Sequence, residues 1–135
     1  MAEETEGKTL DPDLIGPGVQ GLLEDETRGR YWVAESGREI IGQVMVTYEW
    51  SDWRNGNIWW IQSVYVPEAW RRKGVFTALY RHVESTAAAE PRVIGLRLYV
   101  EENNTRAQRT YEALGMTRPS YLVMERMLNK EPKRR

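Results

Sequence analysis

Apolar and polar positions change their period several times along this chain, and each change marks the edge of an expected element. Asp11-Pro12 reads as an N-cap followed by proline at the first helical position, opening a helix that runs to about Glu26. Gly16, Pro17, Gly18 and Gly21 fall inside that span, so a broken helix is the alternative. Tyr31–Glu35 and Glu39–Glu49 flank Ser36-Gly37-Arg38 and read as two strands of a hairpin around a glycine turn. Ser51–Asn57 is a polar loop with Asn55-Gly56 as its turn signal. Ile58–Val66 is apolar on both alternation phases, with Ile58, Trp60, Val64 and Val66 set against Trp59, Ile61 and Tyr65. That pattern predicts a central strand covered on both faces.

Pro67 closes this strand, and a helix is expected from about Arg72 to Ala89, with Val75, Leu79, Val83 and Thr86 on one face and Pro91 as its stop. Val93–Glu101 alternates Leu96, Leu98 and Val100 with Arg97, Tyr99 and Glu101, as a strand does. Asn104–Leu114 carries Ala107, Tyr111 and Leu114 at helical spacing, and Gly115 supplies a C-terminal stop. Tyr121–Leu128 reads as a final strand, while residues 1–10 and 129–135 are polar, flexible ends. The order is helix, three strands, helix, strand, helix, strand: a mixed α/β, or α+β, fold forming one domain over residues 1–135.

Composition narrows what such a domain does. The chain is 41% hydrophobic and 29% charged, enough to bury a core, and its formal net charge of −1 predicts no nucleic-acid surface and no membrane partner. It has no cysteine, which excludes disulfides, thiolate catalysis and cysteine-based zinc sites, and its single histidine cannot build a multi-histidine metal centre. The longest apolar runs are too short to span a bilayer, and the acidic start Met1–Glu6 lacks the features of a signal peptide, so a cytoplasmic protein is expected. Six tryptophans and seven tyrosines accompany one phenylalanine, and many crowd between Tyr48 and Trp70. Such rings fill cores and dimer interfaces, or line pockets.

The first chemical signal is Arg71-Arg72-Lys73-Gly74-Val75-Phe76-Thr77, which follows the central strand and opens a helix. A helix start offers unpaired N–H groups and the positive end of the helix dipole. Glycine there lets the backbone approach an anion, and the three cations add charge, which suits a phosphate-bearing ligand. Neither a Walker A loop nor a G-x-G-x-x-G fingerprint is present. A solvated basic turn is the structural alternative.

Val64-Tyr65-Val66, then Arg71-x-x-Gly74, resembles the signature of the GNAT superfamily of N-acetyltransferases: arginine or glutamine, two residues, glycine, one residue, then glycine or alanine. Phe76 departs from the last position, and its large side chain is expected to turn away from the cofactor. The later segment also resembles the family, with Asn104, Ala107, Tyr111 and Gly115 at intervals of three, four and four. The resemblance covers about residues 42–128. It implies a mostly antiparallel sheet that splays at an acetyl-CoA site. It also implies a pyrophosphate held at Arg71, Arg72, Lys73, Gly74, Val75, Phe76 and Thr77, and acyl and pantetheine groups lying along the backbone of Val64 and Val66. Asn104 is then expected to orient the pantetheine arm, and Tyr111 to protonate the leaving thiolate. Read without the resemblance, Asn104 is a helix cap and Tyr111 part of a core stripe.

The family's base is often a glutamate on the central strands, where this chain carries Gln62 and Ser63. Glu49, beside Trp50, Asp52 and Trp53, is the leading candidate, with Glu101 second; His82, in mid-helix, reads as structural or exposed. The acceptor is expected to be a primary amine on a small molecule or a peptide, in a pocket shaped by Tyr48, Trp50, Trp53, Trp59 and Trp60. A non-catalytic acyl-CoA-binding module is the rival. No first strand precedes the hairpin, so an uncovered sheet edge, and with it a homodimer, is also expected.

Overall fold

The computed structural model describes residues 12–130, with side chains from Ile15 onward. The expected cap at Asp11 and the two tails, apart from residues 129 and 130, lie outside the described residues. Helix α1 spans Pro12–Leu23, β1 Gly29–Ser36, β2 Glu39–Ser51 and β3 Gly56–Tyr65. A single 3₁₀ turn at Glu68–Trp70 leads to α2, Val75–Ala89, followed by β4, Val93–Leu98, and α3, Thr105–Ala113. The sheet order is β1-β2-β3-β4, with the first two pairings antiparallel and the β3–β4 pairing parallel. Parallel neighbours need a crossover, and α2 supplies it.

Helix α1 continues unbroken through Pro17 and ends three residues short of Glu26. The Arg28 guanidinium donates to the Gly21 carbonyl, satisfying an end group that the helix itself cannot. Leu22 is the buried contact beneath it.

The core lies between the sheet and α2. Val44 and Val46 of β2, Trp59 and Ile61 of β3, and Val75, Leu79, Tyr80, Val83 and Ala87 of α2 form one buried cluster. The helical stripe therefore steps by four from Val75 through Leu79 and Val83 to Ala87, not by three to Thr86. The Thr86 hydroxyl instead donates to the His82 carbonyl at 2.7 Å. Helix and sheet approach closely at Gly42, where a Cβ would lie 2.8 Å from Val75 Cγ1 and 3.0 Å from Leu79 Cδ1.

Strand β3 has a bulge that alternation alone did not reveal. Met45 pairs with Ser63 and Val46 with Ile61, which leaves Gln62 as the extra residue. An extra residue reverses the in–out phase of everything after it. Trp59 and Ile61 point into the core before the bulge, and Val66 is buried after it. Much of the two-phase apolar pattern of Ile58–Val66 thus reflects a change of phase within one strand, although Ile58 and Trp59 are adjacent and both buried.

The strand expected at Tyr121–Leu128 does not form. Residues 121–128 are irregular and exposed, and no strand among the described residues pairs with them. Alternation shows which faces a segment could present, but a strand also requires a backbone partner. Among the described residues β4 is accordingly an edge of the sheet, and it ends at Leu98, short of the expected Glu101.

Candidate active site

Strands β3 and β4 pair only from Asn57 to Ile61 on β3 and from Val93 to Leu98 on β4. Beyond that point they diverge, and a cleft of about 920 Å³ opens between Gln62–Val66 on one side and Leu98–Val100 on the other. The bulge at Gln62 marks where the divergence begins. Its side chain is fixed by donating to Thr47 Oγ1 at 3.0 Å. One end of the cleft is closed by the start of α2, and a wall is formed by the first turns of α3.

The loop at the α2 end is built in layers. Arg71 Nε donates to the Val66 carbonyl at 2.9 Å, so this guanidinium fastens the loop to the end of β3. Trp70 Nε1 donates to Glu39 at 2.7 Å, and the Lys73 ammonium lies 5.5 Å from the Trp70 ring. Arg72 and Gly74 take left-handed conformations, with φ of 63° and 83°. Alternate left-handed residues curl successive N–H groups toward one side, the arrangement of an anion-binding concavity. A Cβ on Gly74 would meet nothing within 4 Å, so this residue borders open space. Its carbonyl accepts from Ala78, placing it as the N-cap of α2, where the helix's own N–H groups are unpaired.

Of the residues singled out for the cofactor, Val64, Val66, Arg71, Arg72, Gly74, Val75, Phe76, Thr77 and Asn104 all line this cleft. Lys73 does not line it and stays over Trp70. Phe76 does not turn away as expected: it lines the cleft, with its ring edge-on to Tyr111 at 5.8 Å. Tyr111 lines the cleft from α3. Asn104 caps α3, its side-chain oxygen accepting from the Ala107 N–H at 3.1 Å. The cap leaves its amide NH₂ as the group it can offer to a ligand.

Glu49 lies outside this cleft. Its carboxylate accepts from Trp60 Nε1 at 2.7 Å and from Arg97 at 3.3 Å, forming a row across β2, β3 and β4. Glu101 accepts at its carbonyl from Asn104 N and from Gln108. His82 is on the exposed side of α2, edge-on to Trp32. No aspartate or glutamate is among the described residues that line the cleft.

The aromatic cluster divides into separate uses. Trp59 is core, between Trp32 at 5.7 Å and Tyr48 at 5.8 Å. Trp60 packs on Tyr99 at 4.6 Å, and Tyr99 also lines the cleft. Trp50 and Trp53 are exposed near the β2–β3 turn. Sequence reasoning missed Ile15 of α1, Trp70, Leu98, Tyr99 and Arg106, all of which line the cleft. Arg106 had a signal, being a cation in the first turn of the helix that carries Tyr111.

The chain matches the model of the acetyltransferase (GNAT) family over residues 3–116. A solved structure described as a possible acetyltransferase from Clostridium difficile 630 is 46% identical to it. That likeness covers 96% of this chain and 85% of the other, with a TM-score of 0.90. A structure described as a probable acetyltransferase is 20% identical, covers 96% and 86%, and has a TM-score of 0.81. An aminoglycoside acetyltransferase from an uncultured soil metagenomic sample is 17% identical, covers 96% and 84%, and has a TM-score of 0.74. The last two likenesses concern the fold. No curated protein matches the chain.

Proposed function

This chain belongs to the acetyltransferase (GNAT) family, and from that premise we propose that it moves the acetyl group of acetyl-CoA to a primary amine by direct attack. The observation that carries the reading is the cleft where β3 and β4 part, closed at one end by a loop that curls its N–H groups around Gly74. The lining fits the co-substrate. Left-handed residues and open space at the start of α2 suit a pyrophosphate, with Arg72 and Arg106 as cations beside it. Val64 and Val66, which line the cleft beyond the β3–β4 pairing, offer their backbone to the pantetheine arm and to polarising the carbonyl.

Acetyl-CoA, when bound, supplies the thioester. The amine nitrogen forms a bond to the acyl carbon as the carbon–sulfur bond breaks, and the Tyr111 hydroxyl gives its proton to the departing sulfur. The proton shed by the amine goes to water and returns to Tyr111 from solvent, because Glu49 is held by Arg97 and Trp60 away from the cleft. Glu49 then acts to hold three strands together. The Trp60–Tyr99 pair beside the cleft favours an amine on an aromatic or apolar body, or a peptide N-terminus. A co-substrate made inside cells supports a cytoplasmic location; among the described residues no helix is long and apolar enough to cross a membrane.

A second reading, an acyl-CoA-binding module without catalysis, is favoured by the lack of a carboxylate along the described cleft wall. Both readings predict that acetyl-CoA raises the melting temperature. An amine panel read by release of free thiol separates them: thiol released with one class of amine supports transfer, and stabilisation without release with any amine supports the module. No thermal shift with acetyl-CoA would overturn both.

A further inference from the structure

Phe76 is where the Arg71–Thr77 segment departs from the motif it otherwise follows, and its ring stays in the cleft. The side chain is partly buried at the start of α2 and packs against the core cluster. Its ring centroid lies 6.4 Å from that of Tyr80 and 5.8 Å from that of Tyr111. Tyr80 is a fully seated core residue, only 3% exposed. Phe76 therefore links a ring that packing holds still to the ring of the proposed acid.

Tyr111 has space on two sides. It lines the cleft between β3 and β4, and also a second cavity of about 1060 Å³ bordered by β4, α2 and the chain that follows α3. Phe76 lines only the first of these spaces, and Tyr80 only the second. The backbone of Tyr111 is set by α3, through the Asn104 cap at one end and the Met116 N–H on the Tyr111 carbonyl at 3.0 Å. Such bonds fix a helix axis but not the side-chain torsions, and proton transfer to a sulfur demands one arrangement of them. The Phe76 edge meets the Tyr111 ring at an interplanar angle of 71°, the edge-to-face geometry that aromatic quadrupoles favour. That contact has a preferred angle as well as a distance, so it selects an orientation where an aliphatic side chain selects only a volume.

We infer that Phe76 is a positioning residue: it holds the Tyr111 ring in the orientation that presents its hydroxyl to the departing sulfur. This role rests on Tyr111 serving as the acid in acetyl transfer. Glycine or alanine at position 76 has no ring to offer, so in this chain the start of α2 carries a second duty. Two residues beyond the proposed anion site at Gly74, it sets the acid. One helix start thereby couples the place where the co-substrate's phosphates bind to the place where its sulfur leaves.

The test is a double-mutant cycle on the full chain, with NMR of isotopically ring-labelled tyrosine as a measurement that needs no turnover. Tyr111→Phe identifies the Tyr111 resonance, among those of the seven tyrosines, by its loss. In Phe76→Ala that resonance should move toward the position of an unstacked tyrosine while the far-UV dichroism is kept. At saturating acetyl-CoA, Phe76→Ala should lower kcat by roughly 10–100-fold. The loss should not exceed that of Tyr111→Phe, since a group acting through the hydroxyl cannot matter more than the hydroxyl. In the Tyr111→Phe background the same substitution should change kcat by less than about two-fold. Its effect on KM for acetyl-CoA should be the same in both backgrounds, because a direct contact with the co-substrate does not pass through the hydroxyl. Where alanine unfolds the chain, Phe76→Leu takes its place in both measurements. An unshifted Tyr111 resonance overturns the inference. So does an equal loss of kcat in the two backgrounds, which makes Phe76 a contact of the ligand or the fold alone. Full turnover in Tyr111→Phe removes the acid, and the inference with it. Thiol release with no amine defeats the transfer reading instead, and the resonance then decides the Phe76–Tyr111 contact by itself.

Discussion

Replacing Gly74 with aspartate puts the proposed anion site under direct test. At φ of 83° any side chain meets the left-handed penalty, about 1–2 kcal/mol, although aspartate tolerates this region better than most residues. No atom lies within 4 Å of the added Cβ, so no packing cost is added to that strain. For a chain of this length the melting temperature should fall by about 3–7 °C. The effect on binding is larger. A carboxylate about 5 Å from one phosphate charge, at an effective dielectric constant of about 20, costs about 3 kcal/mol, or roughly a 200-fold loss of affinity. Gly74→Ala is the control, since it carries the backbone strain without the charge. Calorimetric titration with CoA, beside thermal unfolding of both proteins, separates the two contributions. The aspartate protein should bind at least about 100-fold more weakly than the alanine protein, with part of the loss recovered at high salt. Equal affinity for CoA in the two would refute the assignment of the α2 start to the pyrophosphate.

Tyr111→Phe keeps the ring against Phe76 and removes only the hydroxyl, so turnover should fall by about 10²–10⁴-fold while CoA affinity holds; unchanged turnover would remove the acid role. Val83 is fully buried between α2 and the sheet, and Val83→Ala should cost about 2 kcal/mol in urea unfolding; a loss below about 0.5 kcal/mol would mean that the helix is not seated there as described. Burial, and after it the Glu84 carboxylate, raises the Tyr80 phenol above its ordinary value, against a smaller opposing effect of Arg81. The neutral form is the one favoured on folding, so this contribution is complete below about pH 10 and is lost as pH rises through the shifted value. Tyr80→Phe should flatten the alkaline fall in stability measured by urea midpoints, and parallel falls in the two proteins would exclude Tyr80 as the group responsible.

The sequence carried most of the local structure because local signals decide it. Asn104 was legible as a helix start, since a side-chain cap depends on neighbouring residues alone, whereas the helix expected from about Arg72 begins at Val75, behind the left-handed Gly74. The residues expected to hold the cofactor, Lys73 apart, line one cleft because the motif and the strand before it fix one another in space. Glu49, expected as the base, does not line the cleft. Its partners Trp60 and Arg97 are 11 and 48 positions away, and a cross-strand row of that kind depends on register. Ile15 and Tyr99 were missed for a similar reason, as each reaches the cleft from an element whose own pattern gives no chemical signal. Tyr121–Leu128 has the composition of a strand, but pairing is a property of the neighbour as well as of the segment.

The bulge at Gln62 has a consequence for how the cleft is encoded. The parting of β3 from β4 follows one residue more on β3 than on the facing strand β2, so chain length, not any particular side chain, specifies the opening. Substitution at position 62 would loosen the bond to Thr47 and leave the count intact. Deleting that residue would leave Ser63 and Val64 opposite their present partners on β2 and remove only the bulge, tending to let β3 run on beside β4 and close the sheet where the ligand should lie. The site is accordingly open to change in its chemistry and intolerant of change in its arithmetic: a lineage can revise the side chains around the cleft one by one, but not shorten β3 by one.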